Sequence, residues 1–270
     1  MAHLTRNREH HMDPTHDRLA DGGPRYTETP ADPYAPDAPF PAEPWNAVTA
    51  ALFVVVAAAW LVRLRGRYRS YPFLMSCLAV LLVGAVGGTL YHALRTRELF
   101  YYLDVVPIQL LPVAGAVFLA VRLWRRRGWL YFGGALLAYL GTSALLLTLV
   151  LPQSRPLAVN LNYAALAAVI LLPTAAVLVA TRFRNAGWVV AALIAFAIAW
   201  FFRLVDGQIG IYLPMGSHWL WHTFGAVCTA LVIEFYYRVE GGPRPAWPRQ
   251  SRAAVGRKTA PPARGSVAGR

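Results

Sequence analysis

Seven apolar runs, each close to the length of a bilayer crossing, follow one another between two polar ends. They lie at about 47–64, 71–94, 100–123, 129–151, 157–180, 187–205 and 216–237, and a helix needs about 20 residues to cross the hydrocarbon core. With no water in lipid, backbone groups must bond within their own segment, so such runs form helices. The predicted fold class is therefore all-α, a seven-transmembrane-helix bundle. Pro107, Pro112 and Pro173 fall inside runs, where neighbouring helices can satisfy the freed carbonyls. Trp45, Tyr101, Trp129, Trp188 and Tyr236 sit near the ends of runs, as an interfacial aromatic belt would. No internal repeat of the transporter kind is visible.

The polar positions divide the chain into three parts. Residues 1–42 are rich in Pro, Asp and His, carry no apolar signal-peptide core, and read as a disordered extracytoplasmic tail. Residues 43–238 form the membrane domain, and residues 239–270 read as a disordered basic cytoplasmic tail. Direction follows from the arginines. Loops one, three and five and the carboxyl tail hold eighteen of the 26 Lys and Arg, including Arg63, Arg67, Arg122, Arg126 and Arg182. The even-numbered loops hold only Arg95, Arg97, Arg155 and Arg203. Positive charge stays inside, so the amino terminus is placed outside and the carboxyl terminus in the cytosol.

Composition agrees with this reading. Of 270 residues 57% are hydrophobic and 14% charged, against about 25% charged in soluble domains. The net charge of +13 is accounted for by topology, so no nucleic-acid partner is needed, and no protein partner is predicted. The expected location is a plasma or cytoplasmic membrane, as a multi-pass protein. Cys77 and Cys228 lie in apolar runs without CxxC spacing and read as buried thiols rather than a disulfide.

Ionisable residues inside membrane spans are costly and mark function. Here they are few: His92, Asp104, Arg203, Asp206, His218, His222 and Glu234. All but Glu234 fall at the outer ends of their helices, with Glu43 and Asn46 at the same level. Glu234 reads as a snorkelling charge at the cytosolic interface. Arg203 and Asp206, three apart, either neutralise one another at the interface or place Arg203 against a substrate head group. His218 and His222 are spaced i, i+4 and share one helix face. If the second and seventh helices are neighbours, His92 completes a set of three imidazoles, the donor set of catalytic zinc with an open fourth position. Imidazole also suits copper, iron or nickel. Asp104 is then placed to take a proton from a water or to orient it. The tail histidines His3, His10, His11 and His16 read as solvated.

Three blocks resemble the alkaline ceramidases, within a superfamily of seven-helix hydrolases that includes the adiponectin-receptor/haemolysin III proteins and GPI-lipid-remodelling proteins. Glu43-Pro44-Trp45-Asn46-Ala47-Val48-Thr49 is similar to the motif E-x-x-N-T-x-S-N that opens helix one. Gly87-Gly88-Thr89-Leu90-Tyr91-His92, followed twelve residues on by Asp104, is similar to G-S-x-x-F-H with its downstream aspartate. His218-Trp219-Leu220-Trp221-His222 is similar to H-x-W-W-H in the last helix. The resemblance spans about residues 43–238.

It implies that His92, His218 and His222 bind zinc, that Asp104 is catalytic, and that Trp221 contacts substrate. The implied reaction is zinc-dependent hydrolysis of the amide of a ceramide-like membrane lipid, giving a fatty acid and a sphingoid base. The chain departs from the pattern at Gly88, where the family has serine; Thr89, next to it, could supply the hydroxyl. It also has Ala47 and Ala50 for threonine and asparagine. The resemblance further implies calcium at an acidic cluster ending at Glu43, but Glu28, Asp32 and Asp37 precede it at other spacings, which argues against a complete site. The alternative reading is a non-catalytic, zinc-containing lipid or signal receptor of the adiponectin-receptor type. A haem carrier using His218 and His222 lacks a matching histidine pair at the inner leaflet.

Overall fold

The computed structural model describes residues 19–150 and 155–244. The expectations for the first eighteen residues and for residues 245–270, including the tail histidines, lie outside them. The described residues form an α-helical bundle. The first apolar run becomes α1 (Pro44–Ala50) and α2 (Leu52–Arg63), which continue one another through Ala51. There follow α3 (Pro72–Leu94), α4 (Glu98–Trp124), α5 (Arg126–Leu145) with a π-helical turn at Leu146–Val150, α6 (Arg155–Ala180), α7 (Ala186–Ile209) and α8 (His218–Gly241). A helix thus stands at each of the seven predicted places. Five of them are long and apolar enough to cross a membrane, which is the make-up of a multi-pass membrane protein. In α6 the described apolar stretch is the shorter Ala167–Ala180. The histidines, tryptophans and acids of α8 dilute its hydropathy.

Many large apolar side chains point outward, among them Val55, Val62, Val83, Leu137, Leu172 and Ile194. In water such a surface would aggregate; in lipid it is the solvated face. Close approach inside the bundle relies on small residues. A Cβ on Gly84 would lie 2.7 Å from the Pro107 ring, and one on Gly87 would collide with Leu103, so α3 and α4 meet along a glycine seam.

Three helix starts take a carboxylate from outside their own helix, which satisfies backbone donors that a helix start leaves open. Glu28 accepts from the N–H groups of Trp45 and Asn46 at 2.7 and 2.9 Å, fixing the start of α1. Glu240 accepts from Phe73 and Leu74 at 2.9 and 3.1 Å, fixing α3. Asp206 Oδ1 accepts from Ser217 and His218 at 2.7 and 2.9 Å, fixing α8. The expected Arg203–Asp206 pair does not form, because Asp206 is spent on the start of α8. Glu234 is likewise no snorkelling charge: it is 5% exposed and paired with Arg63 and Arg238, both at 2.6 Å.

Residues 19–42 are not a disordered tail. They run as an irregular strap across the end of the bundle that carries the histidines. Their apolar content is too low to predict order, but their polar groups find buried partners. Ala42 and Glu43 donate their N–H groups to the carbonyls of Ala93 and His92 at 2.9 and 3.1 Å. Asp21 meets Arg95, Thr27 meets Asp206, and Thr29 meets Glu43.

Candidate metal centre

The late turns of α3, the first turns of α8 and the start of α1 converge at one end of the bundle. They bring together His92, His218 and His222, all buried, with candidate ligand nitrogens within 4.8 Å of one another. The rings lie 4.7 to 5.6 Å apart, centroid to centroid. Three imidazoles facing one another at that spacing fit a single metal ion.

The hydrogen bonds around the rings settle which nitrogens remain for it. His92 Nδ1 lies 2.6 Å from Glu43 Oε2, and His222 Nδ1 lies 3.1 Å from the Asn46 carbonyl. Both oxygens accept, so both ring nitrogens donate, and Nε2 is left as the free lone pair on each ring. His92 Nε2 and His218 Nδ1 are buried with no hydrogen-bond partner. Buried orphan nitrogens are costly, and a metal ion would satisfy them. A histidine ligand whose other nitrogen meets a carboxylate or carbonyl is the usual supporting arrangement.

Glu43 is the hub of this support. Fully buried, it accepts from His92, from Thr29 Oγ1 at 2.6 Å, from Asn46 Nδ2 at 3.1 Å and from Arg95 Nη1 at 2.8 Å. Burial alone would raise its carboxyl pKa, but His92, Arg95 and Thr29 together hold it below the usual carboxylate range. Arg95, also fully buried, reaches from Glu43 to Asp21, with Nε 2.6 Å from Asp21 Oδ2, and to the Pro24 carbonyl at 2.9 Å. Among the described residues, the acids named for calcium (Glu28, Asp32, Asp37 and Glu43) do not form a group of three that could hold an ion. Glu28 fixes α1, Asp32 accepts from the backbone of Tyr34 at 2.9 Å, and a guanidinium bridges Asp21 and Glu43.

Asp104 lines a cavity of about 370 Å³ together with His222, Trp221 and Gly88. It makes no hydrogen bond among the described residues, so its oxygens are free to take one from a ligand. From this polar head the cavity continues between apolar side chains of α3, α4, α6, α7 and α8 to Phe73 and Tyr236 near the opposite end. α6 packs on α4 and α5 while α7 packs on α8, and the cavity lies between these groups. Arg203 stands 5.1 Å over the Trp221 ring, beside the cavity wall.

One sequence expectation is affected here. Thr89, raised as a hydroxyl source, points away from the cavity: its hydroxyl donates to the Ala85 carbonyl of its own helix at 2.8 Å, and it does not line the cavity. Residue 88 faces Asp104 instead, and a Cβ there would lie 2.5 Å from Asp104 Oδ1. The aspartate thus fills the space a serine would need. Because the crowded atom ends a flexible side chain, Gly88→Ser should fold but turn the Asp104 carboxylate away. Misplacing a reacting group by about 1 Å can cost about 100-fold, so if Asp104 serves a hydrolytic reaction in this cavity, any hydrolysis should drop by at least about tenfold. Faster hydrolysis in Gly88→Ser would show that the serine is the missing part.

Tyr26, Asp21 and Arg95 are contributors that no sequence motif marked. Tyr26 stacks on His218 at 3.8 Å and 25°, and lies 5.5 Å from His92. Burial raises its phenol pKa. No protein-family model, curated protein or solved structure matches the chain.

Proposed function

We propose that all seven helices cross the membrane, amino terminus outside, and that the chain is a zinc-dependent hydrolase of the amide bond of ceramide-like N-acyl lipids. The observation that carries this reading is three convergent buried imidazoles beside a free carboxylate, at the head of an apolar cavity. The arginines support the direction: Arg63, Arg67, Arg122 and Arg238 stand at the end opposite the histidines. The site would then face the extracytoplasmic side.

His92, His218 and His222 would hold the metal, with Glu43 and the Asn46 carbonyl fixing two of the rings. Zinc bound there supplies Lewis acidity toward a carbonyl oxygen and lowers the pKa of a water. The apolar cavity would take an acyl chain, placing the amide beside Asp104 and Trp221, with Arg203 toward the head group. Asp104 would accept the proton of the attacking water at a carboxylate oxygen and return it to the leaving nitrogen. Water adds to the carbonyl carbon, the C–N bond breaks, and fatty acid and amine leave.

The test is fatty-acid release from N-acyl sphingoid lipids by detergent-purified protein, with and without chelator. Metal-dependent release is expected. A zinc-bound protein that binds lipid but hydrolyses no amide or ester would select the alternative, a receptor of the adiponectin-receptor type, which Gly88 in place of the serine favours.

A further inference from the structure

The three histidines are not held alike. His92 and His222 are each fixed by a hydrogen bond from the nitrogen turned away from the cluster, to Glu43 and to Asn46. The His218 side chain makes no hydrogen bond among the described residues, and its Nδ1 is buried without a partner. Its ring is instead covered by Tyr26, nearly parallel at 3.8 Å. Such a stack leaves the ring little freedom to tilt.

Tyr26 itself is placed by the three residues that follow it, each tied to a different part of the bundle. Thr27 donates its N–H to Asp206 Oδ2 at 3.0 Å and its hydroxyl to the Asp206 carbonyl at 2.7 Å. Glu28 holds the start of α1. Thr29 donates its hydroxyl to Glu43 at 2.6 Å. Gly216, with φ +66°, leaves room for this seating, since a Cβ there would strike Asp206 and Thr27. The strap is therefore docked at several points around one ring, and that ring lies on the one histidine without a hydrogen-bonded support.

We propose that Tyr26 is the positioning residue for His218, doing by ring stacking what Glu43 and Asn46 do by hydrogen bonding. The metal centre is then complete only with the amino-terminal strap seated. This rests on the metal reading given above, and extends it to a segment outside the helices.

The experiment is cobalt(II) and zinc binding by the full-length apoprotein in detergent, by chelator competition, together with the visible ligand-field spectrum of the cobalt form. Wild type is compared with Tyr26→Phe, Tyr26→Leu and Tyr26→Ala. Loss of a residue that orients a metal ligand typically costs about 10- to 100-fold in affinity. Tyr26→Phe should bind like wild type with the same spectrum. Tyr26→Leu and Tyr26→Ala should lose affinity in about that range and change the spectrum. Equal affinity and spectrum in wild type and Tyr26→Leu would overturn the proposal while leaving the metal site standing. Failure of wild type to bind either metal would overturn both. If Tyr26→Ala does not fold, the Phe and Leu variants decide, because both fill the space and only one presents a ring.

Discussion

Asp104→Asn should retain its metal and lose most of its hydrolysis, by about 10²- to 10⁴-fold, the usual contribution of a positioned acid–base group. The amide is nearly the same shape and still lines the cavity beside Gly88, so folding and lipid binding should survive. What it lacks is a basic oxygen. Asp104 is suited to the role because it is near the histidines, faces the cavity, and has no hydrogen bond among the described residues to occupy it. Glu43 could not replace it, since four donors already occupy its oxygens. Metal content and fatty-acid release measured on the same preparation check this. Unchanged turnover with full metal would remove Asp104 from the reaction.

Arg95→Met is expected to be the most destabilising single change. Arg95, Asp21 and Glu43 are each 0% exposed. Removing the cation leaves two buried carboxylates without their counter-charge, with only hydrogen-bond donors left to them, and breaking a buried ion pair in this way costs about 3–5 kcal/mol. The damage should spread, because Glu43 also holds His92 and Asp21 holds the strap. Asp21→Asn combined with Arg95→Met should recover part of the loss, since one stranded charge is gone. Thermal unfolding in detergent, read for both variants, checks the sign. A neutral Arg95→Met would mean that the strap is held without the ion triad.

The histidines and Asp104 were legible in the sequence because four polar residues stand out against an apolar background, and helix direction places them at one level. Arg95 was not. In the sequence it is one of many loop arginines, and its role depends on Asp21, 74 residues away. Tyr26 was hidden by the composition around it, which lacks the apolar content that signals order; the strap is ordered by polar partners on helices distant in sequence. Of the two readings open for Arg203 and Asp206, the mutual pair is the one that fails: i, i+3 spacing permits a pair but does not require one, and the open N–H groups at the start of α8 take the carboxylate. Gly88 stood out as a departure from a motif, but only the α3–α4 packing shows that Asp104 takes up its space.

Metal stoichiometry tests the central claim most directly. Wild-type protein and His222→Ala, purified in detergent without added metal, should be compared by elemental analysis. The expected result is about one zinc or other transition metal per wild-type chain, the occupancy of one three-histidine site, and little in His222→Ala of the same fold. Wild-type protein free of transition metal, and unable to take any up, would contradict the account.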